Sequence, residues 1–179
     1  MSLYTRHSSF YFYHCSVKDT RAVRAIGAAT FLESYGRLNT KKNMKGYLAS
    51  AFSRERIKTE LKNKKSSFYL LKQGEDILGY IKINFPGAGA VCRDKNYLEL
   101  ERMYLLKKYQ RKGLGKLLLK KVNKIAATNK MDGVWLGVWS KNPLAINFYK
   151  KNGFAKCGKQ IFILGKDRQV DYVMKKIIA

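Results

Sequence analysis

Gln110-Arg111-Lys112-Gly113-Leu114-Gly115-Lys116 and, further along, Asn142-Pro143-Leu144-Ala145-Ile146-Asn147-Phe148-Tyr149-Lys150-Lys151-Asn152-Gly153-Phe154 are the two stretches that decide how this chain is read. The first follows a strand-like run, Tyr97 to Leu106, and a helical pattern begins inside it. Glycines at such a junction let the backbone approach a ligand, and the first N–H groups of a helix have no partner within it. Arg111, Lys112 and Lys116 add cations at the same point, so a pyrophosphate is the natural occupant. Two common nucleotide motifs are excluded. Leu117 stands where a P-loop needs Ser or Thr, with the wrong spacing to Gly113, and Leu118 stands where the last glycine of GxGxxG would be. The second stretch reads as a helix, with Asn142 as N-cap, Pro143 in the first turn and Gly153 closing it.

Between the two stretches, Leu114, Leu117, Leu118, Val122, Ile125 and Ala126 share one helix face, and Val134 to Val138 reads as a buried strand. Upstream, Ser67 to Leu71 and Ile77 to Phe85 are β-rich runs joined by Gln73-Gly74-Glu75-Asp76, a hairpin. The loop Pro86-Gly87-Ala88-Gly89-Ala90 leads from it to the next strand. Three helical stretches precede the hairpin. In the first, Ala22, Val23, Ile26, Ala29 and Thr30 recur at helical spacing up to Gly36, with Asp19 as N-cap. The others run from Lys41 to Phe52 and from Ser53 to Lys62. Phe10 to Cys15 reads as the first strand, and Lys159 to Leu164 and Asp171 to Ile177 as the last two. No repeat or low-complexity linker marks a boundary, so residues 1–179 are read as one α/β domain around one mixed sheet.

Composition narrows the class. Hydrophobic residues make up 46% and only 2 are proline, as in a folded chain. No apolar run reaches the ~18 residues of a membrane span, and Met1 to Arg6 lacks a signal-peptide core, so a cytoplasmic protein is expected, with no membrane partner. Cys15, Cys92 and Cys157 are far apart, and His7 and His14 both precede the first helix, which argues against a disulfide framework, a metal site or a histidine triad. Against 12 acids stand 37 Lys and Arg, a formal net charge of +25. That field draws in polyanions such as a phosphorylated cofactor, and it is compatible with nucleic acid. The lysines recur throughout instead of forming one arm, so solvated helix faces account for them more simply.

In order and separation the two stretches together resemble the GNAT acetyltransferase superfamily, with QxxGxG at the strand–helix junction and NxxAxxFYxxxGF on the next helix. Thr30-Phe31, Ser34-Tyr35, Asn39-Thr40, Asn43-Met44, Tyr47-Leu48 and Ala51-Phe52 are further similar to PaiA-type spermine/spermidine acetyltransferases. So are Leu98-Glu99-Leu100-Glu101-Arg102-Met103-Tyr104 and the Trp135-Leu136-Gly137-Val138-Trp139 strand. The resemblance implies a GNAT fold, a mixed α/β arrangement of about seven strands splayed between the fourth and fifth and flanked by helices. It implies acetyl-CoA as co-substrate, no metal, and an acyltransferase acting on a primary amine, with a polyamine such as spermidine or spermine preferred.

Carried over residue by residue, Met103, Tyr104 and Leu105 would pair their backbone with the pantetheine arm, and an N–H there would hold the developing oxyanion. Gln110, Arg111, Lys112, Gly113, Leu114, Gly115 and Lys116 would wrap the pyrophosphate. Asn142 and Tyr149 would reach the cofactor from the far side of the splay, and Lys151 would meet its 3′-phosphate. Tyr149 occupies the family's general-acid position, and a phenol near pKa ~10 can protonate a departing thiolate. An alkylammonium also has a pKa near ~10, so a base must free its lone pair. Glu99 and Glu101 alternate on a strand that otherwise reads as buried, and either can serve; Glu101 is favoured as nearer the thioester.

Glu33, Tyr35 and Glu99 are candidate acceptor contacts, with Glu101, Asp94 and Tyr104 completing the pocket. A charge of +25 opposes a polycation, although the Debye length of ~8 Å confines that opposition to short range. Two other readings stay open: a protein acetyltransferase acting on an N-terminus or lysine, and a basic nucleic-acid-associated module that keeps the fold. The superfamily resemblance also admits a homodimer.

Overall fold

In the computed structural model, which describes residues 9–87 and 96–178, the aromatic run near the start forms β1 (Phe10–His14). Asp94, Cys92, His7, Met1 to Arg6 and the Ala88 to Ala90 part of the expected loop lie outside the described residues. A 3-10 turn, Val17–Asp19, follows β1, and here the structure corrects one expectation. Asp19 does not cap the first helix; its carboxylate accepts the Ser16 N–H at 2.7 Å while the Ser16 hydroxyl accepts from Lys18. The acid is already engaged in this capping box, one turn earlier.

Three helices come next: α1 (Thr20–Tyr35), α2 (Lys41–Ala51) and α3 (Arg54–Lys62). Thr40 and Ser53 cap the last two, their hydroxyls accepting the N–H groups of Asn43 and Arg56. The hairpin follows as β2 (Ser66–Gln73) and β3 (Asp76–Asn84), turned at Gly74, whose φ of +58° suits glycine. Then come β4 (Tyr97–Leu105), α4 (Leu114–Thr128), β5 (Gly133–Trp139), α5 (Pro143–Lys151), β6 (Ala155–Leu164) and β7 (Asp167–Ile177). The last two strands are longer than their apolar patterns indicate. Ala155 to Gly158 shows no alternation, yet most of this segment pairs with β7, and β6 is an edge strand whose outward residues are exposed.

The seven strands form one sheet in the order β1-β2-β3-β4-β5-β7-β6. Every neighbouring pair is antiparallel except β4 and β5, which run parallel and need the α4 crossover between them. Their pairing is short. It joins Tyr97, Leu98 and Glu99 to Gly133, Val134 and Trp135, and beyond that the strands part. The sheet separates two cores, one with α4 and α5 around Leu98, Leu118, Val122 and Leu136, the other with α1–α3 around Val23, Phe31, Ile57 and Tyr80. Alternation along β3 feeds both, with Ile81 in the first and Tyr80 in the second, so the wedge between β4 and β5 is held open by rigid walls on both faces.

Candidate active site

At the end of β4 the Gln110 side-chain amide donates to the Leu105 carbonyl at 3.0 Å, folding the turn back against the strand. The following backbone is left-handed at two places, Arg111 at φ +60° and Gly113 at φ +79°. Positive φ is uncommon outside glycine, and such alternation aims successive N–H groups into one concavity. Gly113 precedes α4 without a side-chain cap, and the first helix-closing bonds come from Lys116 and Leu117 N–H, both to the Gly113 carbonyl. The N–H groups before them are those a helix N-terminus offers to an anion. Leu114 is buried and anchors the turn, while Arg111, Lys112 and Lys116 stand exposed around it. A Cβ on Gly115 would lie 3.4 Å from the Phe148 ring, so the two sequence stretches meet here. This donor set fits a pyrophosphate, in both geometry and charge.

Beyond Glu99 the β5-facing edge of β4 has no strand partner, and Met103, Tyr104 and Leu105 lie along it. Met103 and Leu105 turn their side chains into the α4-side core, and Tyr104 turns to the other face. A β-bulge sits at Glu101: Arg102 pairs with Lys82, but the next pair is Leu100 with Ile83. The extra residue breaks the alternation, so Glu101 and its neighbour Arg102 both reach the face that carries Glu99 and Tyr104.

That face looks onto a cavity of about 560 Å³ between α1, α2 and the splayed strands. Aromatic rings wall it, among them Tyr35, Tyr47, Tyr104, Trp139 and Phe162, and three carboxylates enter it: Glu99, Glu101 and Asp171. The first two differ sharply. Glu101 pairs with Lys82, and with Arg102 at 3.2 Å; both cations also bind Glu60 of α3, and Arg102 does so through two bonds of 3.0 and 3.1 Å. Burial pushes the Glu101 carboxyl up, but the Arg102 guanidinium and Lys82 ammonium outweigh it and hold the group below the usual carboxylate range. Among the described residues Glu99 accepts the Asn84 amide alone, at 2.7 Å, and burial, with Glu101 nearby, raises it. The sequence-based preference for Glu101 as base therefore meets an obstacle: a carboxylate locked between two cations is a poor proton acceptor.

On the opposite wall, Asp171 of β7 stands in register with Trp139 of β5 and Gln160 of β6. Burial lifts its carboxyl to about 6. Gly137 keeps this corner open: a Cβ there would fall 2.4 Å from the Gln160 amide nitrogen and 3.4 Å from an Asp171 oxygen.

The tyrosines line up toward α5. Tyr104 OH lies 3.5 Å from Tyr35 OH, and burial raises both phenols. Asn142 caps α5 by accepting the Ala145 N–H at 3.1 Å, and its side chain also bonds Tyr35. Tyr149 is buried beneath, between Phe148 and Phe154, where burial and the nearby Tyr35 keep its phenol protonated well past neutrality. Lys151 is exposed in the last turn of α5. One acceptor contact is corrected. Glu33 is exposed and lies outside the cavity lining; its carboxylate accepts the Lys107 N–H at 2.7 Å and ties α1 to the turn after β4.

The structure thus gathers Tyr35, Glu99, Glu101 and Tyr104 around one cavity and Gln110 to Lys116 in the turn ahead of α4. Asp171, Gln160, Lys82, Asn84 and Glu60 were missed from sequence. For Asp171 a signal existed, since an acid opening an apolar strand is as unusual as Glu99 in β4. Glu60 had none, because it reads as one charge on an amphipathic helix.

Comparison with known proteins agrees with this architecture. Residues 30–154 match the model of the Acetyltransferase (GNAT) family. An uncharacterized N-acetyltransferase of the pepI 3′ region from Lactobacillus delbrueckii subsp. lactis is 34% identical over 92% of this chain and 95% of its own length. Spermidine N(1)-acetyltransferase of Thermoplasma acidophilum is 24% identical over 78% of this chain and 84% of its own. The PaiA N-acetyltransferase from the same organism, solved in complex with coenzyme A, superposes with a TM-score of 0.77 at 22% identity, over 94% of this chain and 99% of that one. The parallel pair that parts after Glu99, the anion turn ahead of α4 and the family match over most of the chain converge: this protein belongs to the GNAT acetyltransferase family, an acyltransferase whose acetyl donor is acetyl-CoA.

Proposed function

We propose that the protein transfers an acetyl group directly from acetyl-CoA to a primary amine of a small polycation, of the spermidine or spermine type. The observation that carries this reading is the cavity itself. In a chain of net charge +25, three of its 12 acids converge on one aromatic-walled space. Its volume of about 560 Å³ lies within the ~300–1,000 Å³ typical of small-molecule sites. Aromatic faces attract ammonium groups, and carboxylates in a part-buried site hold them far better than exposed ones do. The relationship to a spermidine acetyltransferase points the same way.

Acetyl-CoA supplies an acyl carbon activated as a thioester. The turn from Gln110 to Lys116 binds its pyrophosphate through backbone N–H groups, with Arg111, Lys112 and Lys116 as counter-charge and Lys151 toward the 3′-phosphate. The unpartnered edge of β4 at Met103, Tyr104 and Leu105 orients the arm and offers an N–H to the carbonyl oxygen. Asn142 fixes α5 and Tyr35 together on the far side. Glu99, raised by burial and in no ion pair among the described residues, takes a proton from the acceptor ammonium directly or through water. The freed lone pair forms the C–N bond as the C–S bond breaks, and Tyr149 gives its proton to the leaving sulfur. The nitrogen sheds a second proton as the amide forms. One of its two protons restores Tyr149 and the other leaves to solvent.

Free-thiol release from acetyl-CoA over a panel of amines tests this. Release that depends on spermidine, and falls roughly 100-fold in Tyr149→Phe with acetyl-CoA binding retained, is the expected result. A panel in which no amine triggers release although acetyl-CoA binds would overturn the small-amine reading.

A further inference from the structure

Asp171 plays no part in the transfer just described, yet it is costly to keep. Its carboxylate is drawn into the cavity, and among the described residues no lysine or arginine forms an ion pair with it. That is unexpected in a chain with 37 such side chains, where Glu60 finds three and Glu101 two. Gln160, its register partner on β6, has its amide nitrogen in the same corner, while its carbonyl oxygen is buried without a hydrogen-bond partner. Trp139 flanks the pair from β5, and Gly137 leaves the space in front of them empty of side chain. A half-buried carboxylate, an unsatisfied amide oxygen and an aromatic face are three groups that together bind an alkylammonium.

We propose that Asp171, Gln160 and Trp139 form a second cation subsite, which holds an ammonium of the acceptor other than the one acetylated. This rests on the reading of the acceptor as a small polycation and adds a length requirement to it. Glu99 is in register with Trp135, and Asp171 with Trp139 across β5. Two strand spacings across the sheet and the offset along it place the two Cα atoms roughly 16 Å apart. An amine that touches both carboxylates is therefore long, linear and charged at separated positions. The Gln160 amide already bonds the Asp171 carboxylate, so a monoamine leaves the Asp171 charge unpaired and the Gln160 oxygen unsatisfied, and an unsatisfied buried polar group is the strongest means a site has of rejecting a ligand. The subsite thus selects for the second charge, while the Glu99 side of the cavity handles the reacting nitrogen.

The test compares spermidine with butylamine as acceptors, in the wild type and in Asp171→Asn and Asp171→Glu. Asp171→Asn is expected to lower kcat/KM for spermidine roughly 10- to 100-fold more than for butylamine, mainly through KM, with partial recovery in Asp171→Glu. Equal losses on both amines, or an unchanged ratio, overturn the subsite while leaving the transfer reaction standing. A second readout does not need turnover: spermidine binding followed by tryptophan fluorescence, since Trp139 lines the corner. If the wild type acetylates no amine but binds spermidine in a manner that Asp171→Asn abolishes, the subsite stands and the transfer reading falls. If the fluorescence titration is the same in both proteins, the subsite falls.

Discussion

At the mouth of α4 the proposed donor site is main chain, the N–H groups that lie ahead of Lys116 in the turn from Arg111, and their aim depends on two left-handed torsions at Arg111 and Gly113. Across the gap the proposed acceptor cavity is assembled from side chains on separate elements: Tyr35 of α1, Tyr47 of α2, Glu99 of β4, Trp139 of β5, Asp171 of β7. A backbone site is indifferent to most side-chain changes and sensitive to φ; a side-chain site is the reverse. The contrast teaches where the chemistry of this protein is particular to it. The donor side repeats what any carrier of a pyrophosphate needs, whereas the acceptor side depends on which charges are paired and which are left open.

The sharpest way to break the comparison is within the acceptor side, between two carboxylates one residue apart. Glu99→Gln removes the proposed base and is expected to lower kcat by roughly 100- to 10,000-fold, with acetyl-CoA affinity retained. Glu101→Gln removes a partner of Lys82 and Arg102, which Glu60 still holds. Its cost falls mainly on stability, about 1–3 kcal/mol, visible as a lowered Tm. Steady-state kinetics and thermal unfolding on both variants check this. The reverse pattern, with Glu101→Gln silencing turnover and Glu99→Gln only loosening the fold, would return the base to Glu101.

Next in size is Gly137→Ala. A methyl group there meets Gln160 at 2.4 Å and Asp171 at 3.4 Å, so it fills the corner or displaces both side chains. Overpacking of this kind costs about 1–3 kcal/mol, so an acceptor KM raised roughly 5- to 100-fold is expected, with little change in KM for acetyl-CoA. An equal rise in both constants would mean that the two sides share this wall.

How far the sequence could be read follows the same divide. The donor turn was legible because its parts are contiguous: glycines, cations and a helix start within seven positions announce an anion site before any fold is known. Glu99 stood out as an acid in an apolar strand, and so did Glu101. What distinguishes them was invisible, because it depends on the bulge that brings Arg102 to their face and on Glu60 arriving from α3. Glu33 read as a pocket acid and instead holds a backbone N–H of the turn after β4. The extents of β6 and β7 were cut short for a related reason. Their pairing is decided by each other's backbone, and an exposed edge needs no apolar pattern to form it.

On the donor side the sharpening experiment is Gly113→Ala. Nothing lies within 4 Å of a Cβ at that position, so the substitution introduces no clash and acts through torsion alone. Holding an L-residue at φ +79° costs about 1–2 kcal/mol, and relief of that strain turns the N–H groups away from the anion. A rise in KM for acetyl-CoA of roughly 3- to 30-fold is expected, with acceptor KM untouched. A variant indistinguishable from wild type would show that Lys112, Lys116 and their neighbours, and not the backbone, supply the binding.

The smallest effect concerns stability and pH. Asp171 has an ordinary value of 3.8 and is lifted to about 6 by burial, so the folded protein prefers the protonated carboxyl. A raised acid stabilises the fold most below the unfolded value of 3.8, and that contribution is lost as pH rises through about 6. At neutral pH the ionised group is a net cost. Because the carboxyl keeps some access to water, screening reduces that cost to on the order of 1 kcal/mol. Asparagine carries no charge to bury, so the difference in Tm between Asp171→Asn and wild type should grow in favour of the variant between pH 4 and pH 7.5. Taking the difference removes the titrations that both proteins share. A difference that stays flat across that window would mean that Asp171 is solvated in the folded protein, and a solvated carboxylate in the acceptor cavity would weaken the contrast between an open acid on β7 and a paired one on β4.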